Sequence, residues 1–160
     1  MKKEMIKKEL KPLMQVSEID LIYKSKVRPR DRPTIKSSKD AFDILISAYD
    51  KNKIELVEQF FALFVNRANK VLAIYCVSSG GITGTVADPR LIFSAGLLLS
   101  AVGCLICHNH PSQNPRPSEA DIELTKRMKA AGELLEIKLL DHLIITDNEG
   151  YFSMTDHGII

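Results

Sequence analysis

The sequence predicts an α/β domain in which a mixed β-sheet is covered by helices. Three observations predict it. Apolar runs rich in β-branched and aromatic residues, such as "EQFFALFVN", "VLAIYCVSSG" and "IKLLDHLIITD", have the length and composition of strands. Longer segments between them repeat apolar residues at helical spacing and open on capping residues. The two kinds of segment follow one another in the order helix, hairpin, helix, strand, helix, strand, which is a layered α/β pattern.

Taken in order, "VSEIDLIYKSK" alternates enough to be a strand, and the Pro/Arg stretch from Arg28 to Pro33 cannot be helix interior. "SSKDAFDILISAYD" reads as a helix capped by Ser37 or Ser38, with Ala41, Leu45 and Ala48 or Tyr49 along one face. "EQFFALFVN", the turn-like "RANK" and "VLAIYCVSSG" form a hairpin, and the glycines at 80, 81 and 84 permit a bend after it. "DPRLIFSAGLLLSAV" opens with Asp88 as cap and Pro89 at the first helical position. "GCLICH" is a short buried strand. "SEADIELTKRMKAAGELL" is a helix capped by Ser118, "IKLLDHLIITD" a further strand and "GYFSM" a short last one.

The chain of 160 residues is long enough for one hydrophobic core, and its 45% apolar and 26% charged residues are those of a soluble protein. No apolar run reaches the roughly 18 residues of a membrane span, and "MKKEMIKKEL" has no apolar segment behind it to make a signal peptide. Three cysteines in strand-like surroundings suit reduced thiols and a cytoplasmic location. Residues 1–40 carry twelve Lys/Arg against six Asp/Glu, a net of +6, whereas residues 41–160 carry ten against fourteen, a net of −4. We therefore divide the chain into a basic lead-in with one strand, residues 1–36, and a folded domain, residues 37–160. The lead-in has only Tyr23 to stack on a base, so nucleic-acid binding through it is expected to be weak at most.

The chemistry concentrates in "CHNHPSQNPRPSEAD", residues 107–121. Side chains two apart on a strand face the same way, so His108 and His110 can point jointly off one sheet edge. Asp121 is well placed as a third ligand, because a Ser-x-x-Asp helix start turns its acidic side chain back toward the cap. Pro111, Pro115 and Pro117 stiffen the loop between them. Two imidazoles and one carboxylate leave a tetrahedral zinc one open position, the arrangement of catalytic rather than structural zinc. Each feature alone has an ordinary explanation, a surface histidine or a capping box. At this joint spacing they arise by chance on the order of once in thousands of chains.

"HNHPSQNPRPSEAD" resembles the JAMM signature of the JAB/MPN+ metalloproteases, His-x-His-Pro followed by Ser-x-x-Asp. "GTVADPRLIF", "ICHNHPS", "PSEADIELTKRM" and "LLDHLIITDNEGYFSM" are similar to its bacterial RadC-like branch, so that the resemblance covers roughly residues 37 to 155. It implies a three-layer, deaminase-like fold with a curved mixed sheet between helices. It also implies one zinc and hydrolysis of a peptide or isopeptide amide, since eukaryotic relatives cleave ubiquitin-type conjugates. His108, His110 and Asp121 match the zinc ligands, and Ser118 matches the serine that supports the oxyanion. Glu58 matches the upstream glutamate that acts as base, with Glu55 a nearby competitor. Two departures stand out. Gln113 occupies a position where the family commonly has glycine, and the residues before the match are too few and too polar for the helix-hairpin-helix region of many RadC-like proteins.

Other readings of these letters fail. An HNH nuclease spreads its residues over a long ββα element. Cys104 and Cys107 of "CLIC" face opposite sides of a strand and cannot share a metal. A zinc deaminase needs His-x-Glu, which is absent. His142 is a core histidine that could sit beneath the site, and His157 has no case. The resulting expectation is a zinc-dependent hydrolase acting on a peptide or protein conjugate. The competing one is a zinc-stabilised, DNA-associated interaction module without catalysis. Glu58 and Ser118 favour the first, because a purely structural site needs neither.

Overall fold

Each helix begins where a side chain can satisfy one of its free N–H groups. In the computed structural model, which describes residues 23–80, 87–146 and 150–160, α1 (Ser38–Leu45) starts at Ser37, whose hydroxyl accepts the Asp40 N–H at 3.2 Å. The N-terminus of α2 (Pro89–Leu98) is capped by Asp88, which accepts the Arg90 N–H at 2.9 Å. Ser118 caps α3 (Glu119–Leu134) by accepting the Asp121 N–H at 3.2 Å. Of the two serines open to α1, Ser37 is the cap. That helix ends earlier than its periodicity predicts, passing into a short 3-10 turn at Ile46–Ala48, yet Leu45 and Tyr49 are both buried.

The strands are β1 (Gln59–Val65), β2 (Val71–Ser79), β3 (Gly103–Asn109), β4 (Lys138–Thr146) and β5 (Gly150–Ser153). They form one sheet in the order β2-β1-β3-β4-β5. The β1–β2, β1–β3 and β4–β5 pairs are antiparallel. β3 and β4 run parallel, because α3 carries the chain back across the sheet between them. The β1–β2 ladder is interrupted by register shifts between Phe60 and Phe61 and between Phe64 and Val65, irregularities of the kind that bend a strand.

Alternation along the strands sends side chains to two cores. Phe61, Leu63, Val65, Leu105, Cys107, Leu143 and Ile145 pack against Ala41 and Leu45 of α1. Phe60, Ala62, Phe64, Cys104 and Ile106 pack against Ile92 and Phe93 of α2 and Met128 of α3. Helices thus cover both faces, which is why all seven residues of β1 and of β3 are buried. The expected three-layer architecture with a mixed sheet is the observed one. Cys104 and Cys107 lie in different cores, as the strand argument requires.

The strand expected over "VSEIDLIYKSK" falls mostly outside the described residues; Tyr23–Lys26, its described end, is not a strand. Its described part meets β2 and the turn before it through a bridge from Thr34 to Lys70, and through the Tyr23 hydroxyl, which donates to the Leu72 carbonyl at 2.7 Å. Gly80 has φ +122°, consistent with a bend there, while Gly81 and Gly84 lie outside the described residues. No helix among the described residues is long and apolar enough to cross a membrane.

Candidate metal centre

The parallel β3–β4 pair and its crossover helix bring the C-terminal end of β3 to the N-terminus of α3. His108 is the last residue but one of β3, and His110 follows the strand, its N–H donating to the Ile145 carbonyl at 3.0 Å. Both imidazoles emerge on the face covered by α2 and α3. The Phe60 ring lies parallel to His108 beneath them, 5.8 Å between centroids.

The loop then turns tightly. The Gln113 N–H donates to the His110 carbonyl at 2.9 Å, with Gln113 at φ +62°, the left-handed conformation that favours glycine. The turn places the Asn114 carbonyl 2.6 Å from His110 Nδ1. A carbonyl can only accept, so His110 carries its proton on Nδ1 and presents a bare Nε2 to the site.

Asp121 closes the cluster. Its Oδ1 is 3.2 Å from His108 Nε2 and its Oδ2 is 3.6 Å from His110 Nε2, while the two Nε2 atoms are 2.9 Å apart. The same carboxylate completes the capping box: Oδ2 accepts the Ser118 N–H at 2.7 Å and the Ser118 hydroxyl at 2.6 Å. The capping role therefore does not compete with a place in the cluster: one carboxylate serves the cap and faces both imidazoles.

Four facts bear on whether a metal fits. One ligand atom from each of His108, His110 and Asp121 lies within 4.8 Å of the others. Tetrahedral zinc with bonds of about 2.0–2.1 Å spaces its ligands roughly 3.3 Å apart, close to the distances here. The bare His110 Nε2 faces a carboxylate, an arrangement of two electron-rich groups that calls for a cation between them. The ionisation follows suit. Burial pushes the Asp121 carboxyl up, but the adjacent imidazoles of His108 and His110 and the bond from Ser118 outweigh it and hold the carboxyl well below the usual range. The adjacent Asp121 carboxylate raises the proton affinity of His110, against burial and with help from Asn114 and Glu58. The site attracts positive charge, and its donor set fits a divalent metal.

Glu58 directly precedes β1 and is half-buried. Phe60 pairs with His108 at the end of the β1–β3 ladder, and Glu58, two residues before Phe60, is close enough to raise the proton affinity of His110. Glu55, by contrast, is exposed in the preceding turn. The segment is held by a residue that sequence reasoning passed over. Asn109, the residue between the two histidines, points to the opposite face and is fully buried. Its amide donates to the carbonyls of Ile54 (2.6 Å) and Val57 (3.0 Å), and its Oδ1 accepts the Gln59 N–H (2.7 Å). Strand alternation gives the direction of that side chain but not its partners.

His142, on β4, lies beneath the ligands as a fully buried core histidine. Burial, reinforced by His108, holds its proton affinity well below the ordinary value. His157 is elsewhere, stacked on Phe152 with Nδ1 on the Ser153 carbonyl.

Comparison with known proteins agrees with the architecture. A family model described as "RadC-like JAB domain" matches residues 35–159. A UPF0758 protein of Flavobacterium johnsoniae is 48% identical over 125 residues, covering 78% of this chain and 53% of its own. UPF0758 proteins of Syntrophotalea carbinolica (34% over 134 residues, 84% and 56%) and Porphyromonas gingivalis (42% over 103 residues, 64% and 45%) are also similar. The chain spans about half the length of these curated relatives. With the match extending over the sheet, the three helices and the His-His-Asp cluster, the chain belongs to the RadC-like JAB domain family.

Proposed function

We propose that this domain is a zinc-dependent metallopeptidase that hydrolyses a peptide or isopeptide amide. The observation that carries the reading is the convergence of His108, His110 and Asp121 at the C-terminal end of β3, with Glu58 near enough to act on His110 electrostatically. Three protein ligands are the number found in catalytic zinc sites. A zinc ion held there supplies Lewis acidity toward a water and the scissile carbonyl, enough to bring the pKa of the water from about 15.7 toward about 7.

The residues of the chain do the rest. Glu58 accepts a proton from the attacking water as its oxygen bonds to the carbonyl carbon, then returns it to the amine nitrogen as the C–N bond breaks. Asp121, held ionised by its neighbours, keeps its ligand charge. The Ser118 hydroxyl, which at rest donates to Asp121, is assigned to the oxyanion side, where a hydrogen bond strengthens as charge develops. The substrate is a peptide or protein conjugate. Nucleic acid contributes at most weakly, through the exposed Lys24, Lys26, Arg28 and Arg30 of the lead-in. The free thiols support a reducing, cytoplasmic setting.

One observation favours the alternative of a zinc-stabilised module without catalysis: the Ser118 proton is already engaged by Asp121. Glu58→Gln separates the two. Glutamine keeps the shape of glutamate but cannot take the proton. The variant should retain zinc and fold while amide hydrolysis falls roughly 10²–10⁴-fold, with Glu55→Gln little changed. Equal cleavage by wild type and Glu58→Gln, both zinc-loaded, would remove Glu58 from the mechanism.

A further inference from the structure

We propose that His142 and Thr125 are positioning residues that fix the tautomer of His108 and tie it to the helix bearing Asp121. The proposal rests on reading His108, His110 and Asp121 as a metal site. It concerns how that site is made ready to bind, not what it then catalyses.

The direction of each hydrogen bond follows from what its partners can do. The Thr125 hydroxyl is 2.6 Å from the Asp121 carbonyl, 2.6 Å from His142 Nδ1 and 3.2 Å from the Met154 sulfur. It has one proton, and both 2.6 Å contacts are hydrogen bonds only if that proton goes to the carbonyl, which can only accept, while the imidazole nitrogen donates. The hydroxyl therefore donates to Asp121, its neighbour one turn back on α3. His142 must then donate from Nδ1 to the Thr125 oxygen. That leaves His142 Nε2 bare, and it lies 2.9 Å from His108 Nδ1. His108 consequently donates from Nδ1 and turns a bare Nε2 toward Asp121 and His110, the only state in which that atom can bind a metal.

The relay is buried along its length. His108, His142, Thr125 and Met154 are each at most 3% exposed, so water cannot substitute for a missing partner. It also links two elements. His108 and His142 belong to adjacent parallel strands, whereas Thr125 and Asp121 belong to the crossover helix above them. One continuous chain of hydrogen bonds thus runs from the first imidazole ligand to the backbone of the carboxylate ligand. A metal-bound histidine whose second nitrogen is so engaged is oriented and made more basic, and loss of the partner commonly weakens metal binding 10–100-fold.

The test measures zinc affinity by competition with a chelator, together with the ¹⁵N spectrum of the imidazoles in metal-free protein at neutral pH. His142→Leu removes the acceptor and should weaken zinc binding about 10–100-fold. His142→Gln, whose amide oxygen can accept from His108, should recover most of that loss. Thr125→Val should weaken binding less. The double variant His142→Leu/Thr125→Val should be no weaker than His142→Leu alone, because the two act in series. In the spectrum of the wild type, both His108 and His142 should carry their proton on Nδ1. Wild-type affinity in folded His142→Leu, an additive double variant, or His108 protonated on Nε2 would each overturn the proposal. Should the variants fail to fold, the spectrum alone decides. Hydrolytic inactivity does not touch this result, and a wild type that binds no zinc defeats the peptidase reading while the spectrum still judges the relay.

Discussion

The Gln59 N–H donates to the side-chain oxygen of Asn109 at 2.7 Å, so the first residue of β1 is fastened to the residue between His108 and His110. With the bonds from Asn109 to Ile54 and Val57, this encloses Glu58 between anchored positions. Asn109→Leu should leave buried carbonyls and an N–H unpaired and destabilise the protein by at least about 1–3 kcal/mol, read by denaturant unfolding. Zinc should still bind, because the ligands are untouched, while hydrolysis falls as Glu58 loses its placement. A variant as stable and active as wild type would show that the clamp is dispensable.

Metal content of protein purified without chelator should be about one zinc per chain. His108→Ala, His110→Ala and Asp121→Ala should each lose most of it. Cys104→Ala and Cys107→Ala should keep it, since those thiols lie in separate cores. Full occupancy in a His108→Ala/His110→Ala variant would place the metal somewhere else.

Gln113 adopts φ +62°, where an L side chain is strained by about 1–2 kcal/mol. Gln113→Gly relieves that strain but gives the unfolded chain more freedom, an offset of about 0.5–1 kcal/mol. The net expectation is a stabilisation of about 0–1.5 kcal/mol with zinc affinity unchanged. Gln113→Val, β-branched, should be clearly less stable than wild type. A melting temperature lowered by the glycine would contradict this account of the turn.

The two buried thiols set an alkaline limit. Burial pushes Cys104 and Cys107 up to about 12, and burial together with Cys107 raises Tyr49 well above its ordinary value. Below about pH 9 the thiols are neutral in both folded and unfolded chains, so the stability linked to them is fully present. Above it the unfolded chain ionises while the folded one holds its protons. Stability should therefore fall as pH rises between about 9 and about 12. Unfolding measured at neutral and alkaline pH should show the fall, and Cys104→Ala or Cys107→Ala should make it shallower. At neutral pH a thiol reagent should modify exposed Cys76 quickly and the other two only on unfolding.

The amino-acid sequence by itself determined most of the elements and which residues cluster as candidate metal ligands. Caps at Ser37, Asp88 and Ser118 and the period-two and helical patterns are local, so the helix starts and the five strands could be read directly. The spacing of His108, His110 and Asp121 is likewise local, since one strand end, one stiff loop and one helix start carry all three. Only the tertiary structure decided the strand order and the groups that support the ligands. Asn109 reaches carbonyls more than fifty residues away, and His142 reaches His108 across 34 residues of chain. Such contacts depend on the antiparallel β1–β3 and parallel β3–β4 pairings. A sequence pattern fixes which face a side chain takes, but what it meets there depends on which distant strand or helix is packed alongside.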